Sequence, residues 1–170
     1  MTYSAKILTV SDSVARGSAV DLAGPALAER LAREGFTVVE VRVAEDGIDP
    51  VAEALTELTE GFHGLVVTTG GTGFAPRDVT PEATAATLDR LAPGLAEAMR
   101  GSEPAGRLSR AIAGTRGKAI VLNTPGSPSG AVQFLEAVVD VLPHALDVLA
   151  GQPGHGHVHN ESHTSEEPRT

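Results

Sequence analysis

The chain has no cysteine and no tryptophan among its 170 residues. Without thiols there can be no disulfide framework, thiolate nucleophile, Cys-ligated zinc or iron–sulfur cluster. Aromatic residues amount to 3% against 41% hydrophobic residues overall, so the core must be packed from Ala, Val, Leu and Ile, and a stacking platform for single-stranded nucleic acid is not expected. Positive charge is scarce as well. Lys and Arg number 13 against 22 Asp and Glu, a formal charge of −9, which argues against a nucleic-acid or anionic-membrane surface and means that any anionic ligand is held locally. No stretch approaches the roughly 20 apolar residues of a membrane span, and Met1 to Lys6 leads into only a short apolar run with no secretory core. A cytoplasmic protein of one ordinary domain is expected.

Periodicity sets out the elements that are present. Ala5 to Val10 reads as a strand that runs into a polar loop lasting to about Asp21. Ala23, Leu27 and Leu31 recur every four residues, with Pro25 near the start and Gly35 just past the end, which predicts a helix over 22–34. Phe36 to Val43 alternates, with Val39, Val41 and Val43 on one face and Glu40 and Arg42 on the other. Asp49-Pro50 opens a helix carrying Val51, Leu55 and Leu58, and Gly64 to Thr68 is a third strand, apolar enough to be buried on both faces. Thr80-Pro81-Glu82 reads as an N-cap, a first-turn proline and an acidic first turn, starting a helix toward Arg90 with a further helical piece at Gly94 to Arg100. Residues 103–115 are irregular and read as a functional loop or short helix. Lys118 to Asn123 is a last strand, and Val132, Leu135, Val139, Leu142, Leu146 and Leu149 form one apolar helical face that Pro143 should kink or divide. Such alternation predicts an α/β fold: a three-layer sandwich with a mostly parallel sheet and helices on both faces, over residues 1–150. Residues 151–170 turn to Gly, Pro, His, Ser and Glu and are expected to be a disordered tail, with His155, His157, His159 and His163 solvated there and not forming a metal site.

A parallel sheet collects ligands beyond the carboxyl ends of its strands. Three loops would meet there: Ser11-Asp12-Ser13, Thr69-Gly70-Gly71-Thr72-Gly73 and Asn123-Thr124-Pro125-Gly126-Ser127-Pro128. The glycines allow backbone N–H groups to turn inward on a phosphate, although a tight strand-to-helix turn would need them equally. No Lys-Ser or Lys-Thr follows, so the loop is not a P-loop, and the third glycine of a dinucleotide fingerprint is missing. Asp78 lies at the rim, where a carboxylate beside phosphates calls for a cation; an alternative is that it caps the loop or pairs with Arg77. Asp46, after the second strand, would face the same edge, and the two acids together could hold Mg2+.

The ordered set of these segments, with Arg77-Asp78-Val79-Thr80-Pro81-Glu82-Ala83-Thr84, Leu108-Ser109-Arg110-Ala111 and Leu142-Pro143-His144-Ala145-Leu146, resembles the molybdopterin adenylyltransferase family of molybdenum-cofactor biosynthesis, the MogA/MoaB-type proteins related to a gephyrin domain. The resemblance spans about residues 5–150. It implies a molybdenum cofactor biosynthesis protein-like fold and a homotrimer, or a hexamer built as a dimer of trimers. It also implies transfer of AMP from Mg-ATP to the terminal phosphate of molybdopterin. The family's two important aspartates match Asp78 and Asp46, as catalytic and metal-holding residues. The second match competes with Glu45, because the chain reads Ala44-Glu45-Asp46-Gly47 where relatives place proline before acids. By the same resemblance Thr69, Gly70, Gly71, Thr72 and Gly73 bind nucleotide phosphate, while Ser109, Asn123, Pro125, Gly126 and Ser127 line the pterin side. Ser11, Asp12 and Ser13 form a further loop of the site. Ala23 stands where relatives often have a polar residue, and Thr124 replaces an apolar one. Backbone amides, Mg2+ and a few arginines would hold the anions. Two alternatives stay open: a nucleotide pyrophosphatase resembling the N-terminal domain of competence-damage-inducible proteins, and a non-catalytic molybdopterin-binding module.

Overall fold

In the computed structural model, which describes residues 2–151, six strands form one sheet in the order β2-β1-β3-β6-β5-β4. The strands are β1 (Tyr3–Val10), β2 (Phe36–Ala44), β3 (His63–Thr69), β4 (Arg90–Leu91), β5 (Ala113–Arg116) and β6 (Lys118–Thr124). The four from β2 to β6 are mutually parallel, and β5 and β4 complete the sheet antiparallel. The helices are α1 (Asp12–Ala15), α2 (Ala23–Arg33), α3 (Ile48–Thr59), α4 (Thr80–Thr87), α5 (Pro93–Gly101), α6 (Pro128–Glu136) and α7 (Leu142–Leu149), with one 3-10 turn at Pro104–Leu108. The predicted tail and its histidines lie outside the described residues.

Alternating strand residues divide the core in two. Ile7, Leu65, Val67 and Leu122 pack with Leu27, Leu31 and Phe134 under α2, α5, α6 and α7. Leu8, Val66 and Val121 pack with Val51, Leu55 and Leu58 under α3 and α4. This is the three-layer α/β arrangement that the alternating pattern predicts, and β3 is buried on both faces from Gly64 to Thr69. The long C-terminal helical face is divided as Pro143 requires: α6 stops at Glu136, and Pro143 sits in the first turn of α7.

Several local expectations change. The 11–21 loop contains α1, whose N-cap Ser11 accepts from the Val14 amide. Helix α4 does not reach Arg90; it ends at Thr87, and Arg90–Leu91 pairs with β5 as the sheet's outer edge. Strand β5 was not visible in its Ala-Gly-Thr-Arg sequence because it lacks a β-branched run and forms only by pairing with β6. The alternation in β2 holds, but its charged face is the more covered one. Glu40 bonds Lys6 at 3.1 Å and Arg42 pairs with Glu57 of α3, whereas Val39, Val41 and Val43 are 55%, 54% and 39% exposed.

Candidate active site

Because β1, β2, β3 and β6 are parallel, the loops after them meet at one edge, and their side chains lock the loops together. The Asp12 amide donates to Asp46 Oδ2 at 2.8 Å, and the Asp46 amide returns a bond to Asp12 Oδ1 at 3.2 Å. Arg77 joins both, donating to the Asp12 carboxylate and, at 2.6 Å, to the Asp46 carbonyl. The effect is to fix Asp46 against the glycine loop: its Oδ1 lies 3.5 Å from the point where a Cβ on Gly71 would stand. Glu45 is turned outward to Arg16, on the exterior of this latch, which supports Asp46 as the acid that faces the site. Asp78 is held by a turn in which its Oδ2 accepts from the Ala75 amide at 2.8 Å.

The Arg77 guanidinium holds the Asp12 carboxyl below the usual aspartate range. A depressed carboxylate stabilises the fold at neutral pH and loses that contribution only as pH falls through its folded-state value. The Asp12 side-chain carboxyl should therefore titrate below ordinary aspartate by carbon NMR. In Arg77→Gln its midpoint should move upward, and an unchanged midpoint would show that Arg77 does not hold the latch.

Two cavities open along this edge and share Gly71 and Gly126 as a common wall. The first, about 360 Å3, is bordered by Thr9, Ser11, Ser13, Asp21, Asp46 and Gly70. The second, about 390 Å3, is bordered by Thr72, Gly73, Asp78, Ser109, Pro125 and Ser127. The residues singled out from the sequence are thus brought together, with Asp46 on one lobe and Asp78 on the other. Ser109 reaches the glycine loop directly, its hydroxyl bonding Thr72 Oγ1 at 3.2 Å. Asp12 does not border either cavity, because its carboxylate is taken up by the latch.

Asn123 is a correction. It is fully buried beneath the loops and borders neither cavity. Its amide donates to Thr68 Oγ1 at 3.0 Å and Thr84 Oγ1 at 2.9 Å, and its oxygen accepts from the Ile112 amide at 3.3 Å. Both amide protons of that side chain and one lone pair of its oxygen are spent on joining β6 to β3, to α4 and to the segment before β5. Thr69 likewise uses its hydroxyl on the Pro125 carbonyl at 2.7 Å. Sequence reasoning missed Thr9 and Asp21 as site residues; Asp21, just ahead of the α2 N-cap Leu22, accepts from the Gly24 amide at 2.9 Å and from Thr9 Oγ1 at 2.6 Å. An Asp three residues before Gly24, at the start of a helix pattern, is the signal that could have identified that bond.

The electrostatics are one-sided. Among the described residues, Asp21, Asp46, Asp78 and Glu103 border the two cavities and no Lys or Arg does. The expected arginines are engaged elsewhere: Arg77 in the latch, and Arg110 with Glu82, the Gly73 carbonyl at 2.8 Å and the Asp78 carbonyl. The Arg110 guanidinium accordingly holds the Glu82 carboxyl below its usual range. Unpartnered main-chain donors also stand at this edge. Among the described residues the N–H groups of Gly71, Thr72, Gly73, Phe74, Gly126 and Ser127 donate to no protein acceptor. Gly70, whose amide donates to the Thr124 carbonyl at 3.1 Å, and Gly71 turn the loop at φ +102° and +64°.

The donor set also suits a hard divalent cation. Asp46 Oδ1 and Asp78 Oδ1 have no partner among the described residues, and no cluster of three or more His, Cys, Asp or Glu is assembled there. One or two carboxylates completed by waters and phosphate oxygens is the habit of Mg2+, whereas zinc takes a closed His or Cys set.

Comparisons with known proteins bear on the family and the fold. The family described as "Probable molybdopterin binding domain" matches residues 6–144. A molybdopterin adenylyltransferase of Helicobacter pylori is 36% identical over 152 residues, covering 85% of this chain and 86% of the relative. That of Escherichia coli K12 is 39% identical over 164 residues, covering 85% and 84%. Among solved structures, the molybdopterin biosynthesis enzyme MoaB of a Thermus species superposes with a TM-score of 0.84 at 45% identity, covering 90% of this chain and 99% of that one.

Proposed function

The chain belongs to the family of the probable molybdopterin binding domain, and from that premise we propose that it transfers the adenylyl group of ATP to the terminal phosphate of molybdopterin, releasing pyrophosphate. The observation that carries this reading is the pair of cavities that meet at a wall of unpartnered backbone amides. Two anionic substrates joined through their phosphates need a site of that shape. An oxygen of the molybdopterin phosphate forms a bond to the α-phosphorus of ATP as the bond from that phosphorus to pyrophosphate breaks. No covalent enzyme intermediate is required, so the chain's task is to align two anions and compensate charge.

In this reading the Gly71–Gly73 amides hold nucleotide phosphate, and Ser109, Gly126 and Ser127 orient the pterin partner. Asn123 acts beneath them by fixing β6 to β3. Asp46 and Asp78 would hold Mg2+, which when bound supplies the positive charge that no bordering side chain provides. The chain would work as a homotrimer, and the exposed row of Val39, Val41 and Val43 on edge strand β2 is apolar surface that a neighbouring copy could cover. No helix among the described residues is long and apolar enough to cross a membrane.

Incubation with molybdopterin, ATP and Mg2+ should yield adenylyl-molybdopterin and pyrophosphate in equal amounts. Free AMP formed without pterin would support a pyrophosphatase instead, and pterin binding without ATP turnover a non-catalytic module; the names of the relatives favour neither.

A further inference from the structure

Four acids border the two cavities, and the protein engages three of them. Asp21 accepts from Gly24 and Thr9, Asp46 from the Asp12 amide, and Asp78 from the Ala75 amide. Glu103 differs. It borders the second lobe, it is half-buried, and among the described residues its carboxylate takes neither a hydrogen bond nor an ion pair. Although it stands at the N-cap of the 3-10 turn, its side chain accepts from no amide there. The nearby arginines are spent elsewhere: Arg100 donates to the Ala111 carbonyl and Arg110 to Glu82.

The turn that carries Glu103 is held at both ends. Ser102, just before it, bonds the Met99 carbonyl of α5 through its hydroxyl at 2.7 Å. Gly106 is buried, and a Cβ there would overlap the Arg100 carbonyl oxygen. At the far end Ser109 bonds Thr72 Oγ1, and the Arg110 amide donates to the Thr72 carbonyl at 2.8 Å. Two kinds of wall therefore border this lobe. The loops after β3 and β6 bring Gly71, Gly73, Gly126 and Ser127, whose unpartnered amides suit phosphate. The turn brings Glu103, Ala105, Gly106 and Leu108, a carboxylate beside apolar surface, with Leu108 65% exposed. A carboxylate repels phosphate and accepts from adjacent N–H groups, so this wall suits a flat ring with two donors on one edge.

We infer that Glu103 determines specificity for the pterin ring, its carboxylate accepting from the ring N–H and the neighbouring amino group of the 2-amino-4-oxo edge. This rests on the proposed function, which places molybdopterin in this lobe. The same chemistry keeps the two substrates apart. Adenine presents one amino donor beside a ring-nitrogen acceptor, and that lone pair opposes a second carboxylate oxygen, so ATP gains nothing from Glu103. Leu108 and Pro125 supply apolar surface for the faces of the ring.

Molybdopterin binding to the whole chain, followed by pterin fluorescence, tests this. Glu103→Gln should weaken binding about tenfold, the worth of one charge-assisted hydrogen bond. Mg-ATP affinity and melting temperature should not change, because the side chain caps nothing in the free protein. Displacement by the simple ring compounds reads the edge itself. Pterin should displace molybdopterin at about a tenfold lower concentration than lumazine, which carries a carbonyl in place of the amino group. Glu103→Gln should abolish that preference, since an amide can donate to the carbonyl. Unweakened molybdopterin binding in Glu103→Gln, an equal loss of ATP affinity, or a pterin preference that is absent from the unmodified chain or undiminished in the variant would each overturn the inference while leaving the functional reading in place. An unmodified chain that binds molybdopterin with the expected preference but forms no adenylyl-molybdopterin would overturn the functional reading alone. One that does not bind molybdopterin would overturn both.

Discussion

Asp78→Asn should lower adenylyl transfer by about a hundredfold or more while the protein remains folded. The asparagine oxygen can still accept from the Ala75 amide, so the turn that Asp78 Oδ2 closes at 2.8 Å survives. What is lost is the carboxylate proposed to hold the charge-compensating cation at the lobe bordered by Ser109 and Ser127, where no cationic side chain stands among the described residues. Removing one charge-compensating group from a site that works by electrostatic positioning costs on the order of 10²–10³ in turnover. The measurement is steady-state formation of adenylyl-molybdopterin beside a thermal melt; near-normal turnover at an unchanged melting temperature would remove Asp78 from the mechanism. Asp46→Asn should behave similarly, because the latch with Asp12 needs only one acceptor oxygen from residue 46. The double variant should be little worse than either single one if both acids act on the same group.

Gly70→Ala should be the most damaging of the small substitutions, costing about 3 kcal/mol of stability and with it the site. At φ +102° an alanine is strained in any surroundings, and here its Cβ would overlap the Val10 carbonyl oxygen, a main-chain atom at the end of β1. That carbonyl cannot move aside without displacing the loop that carries Asp12 and its bonds to Asp46. Gly35→Ala is the control: its φ of +81° also lies beyond the usual left-handed well, with nothing within 4 Å of the added carbon, so only the backbone cost of about 1–2 kcal/mol applies. Urea unfolding of the two variants separates collision from conformation. Equal losses would mean that the close approach of β1 and β3 is not what demands Gly70.

Much of this was legible along the chain. The four-residue recurrence of Ala23, Leu27 and Leu31, the apolar run at 64–68 and the position of Pro143 each depend on neighbours in sequence, and each element formed as its pattern required. The gathering of three loops at one edge followed from parallel strands alone. What failed to show were elements whose stability is borrowed. Strand β5 exists through β6, Arg90–Leu91 is a strand only through β5, and α1 depends on a Ser11 cap and the bonds from Asp12 to Asp46.

The scarcity of cysteine, aromatics and positive charge was decided by the sequence alone, and with it the aliphatic core and the exclusion of thiol and iron–sulfur chemistry. Composition and motif also selected the residues worth watching. Only the tertiary structure decided which were exposed to a ligand. Asn123 and Arg110 carry the right chemistry for binding, yet Asn123 is engaged by β3 and α4 and Arg110 by the glycine loop and Glu82. Thr80 looked like an ordinary cap, and packing left its hydroxyl unpaired beneath Gly71. The physical reason is that a sequence specifies how many donors and acceptors a site contains, whereas their partners come from segments far apart in the chain. Which groups remain free is settled only once those segments meet.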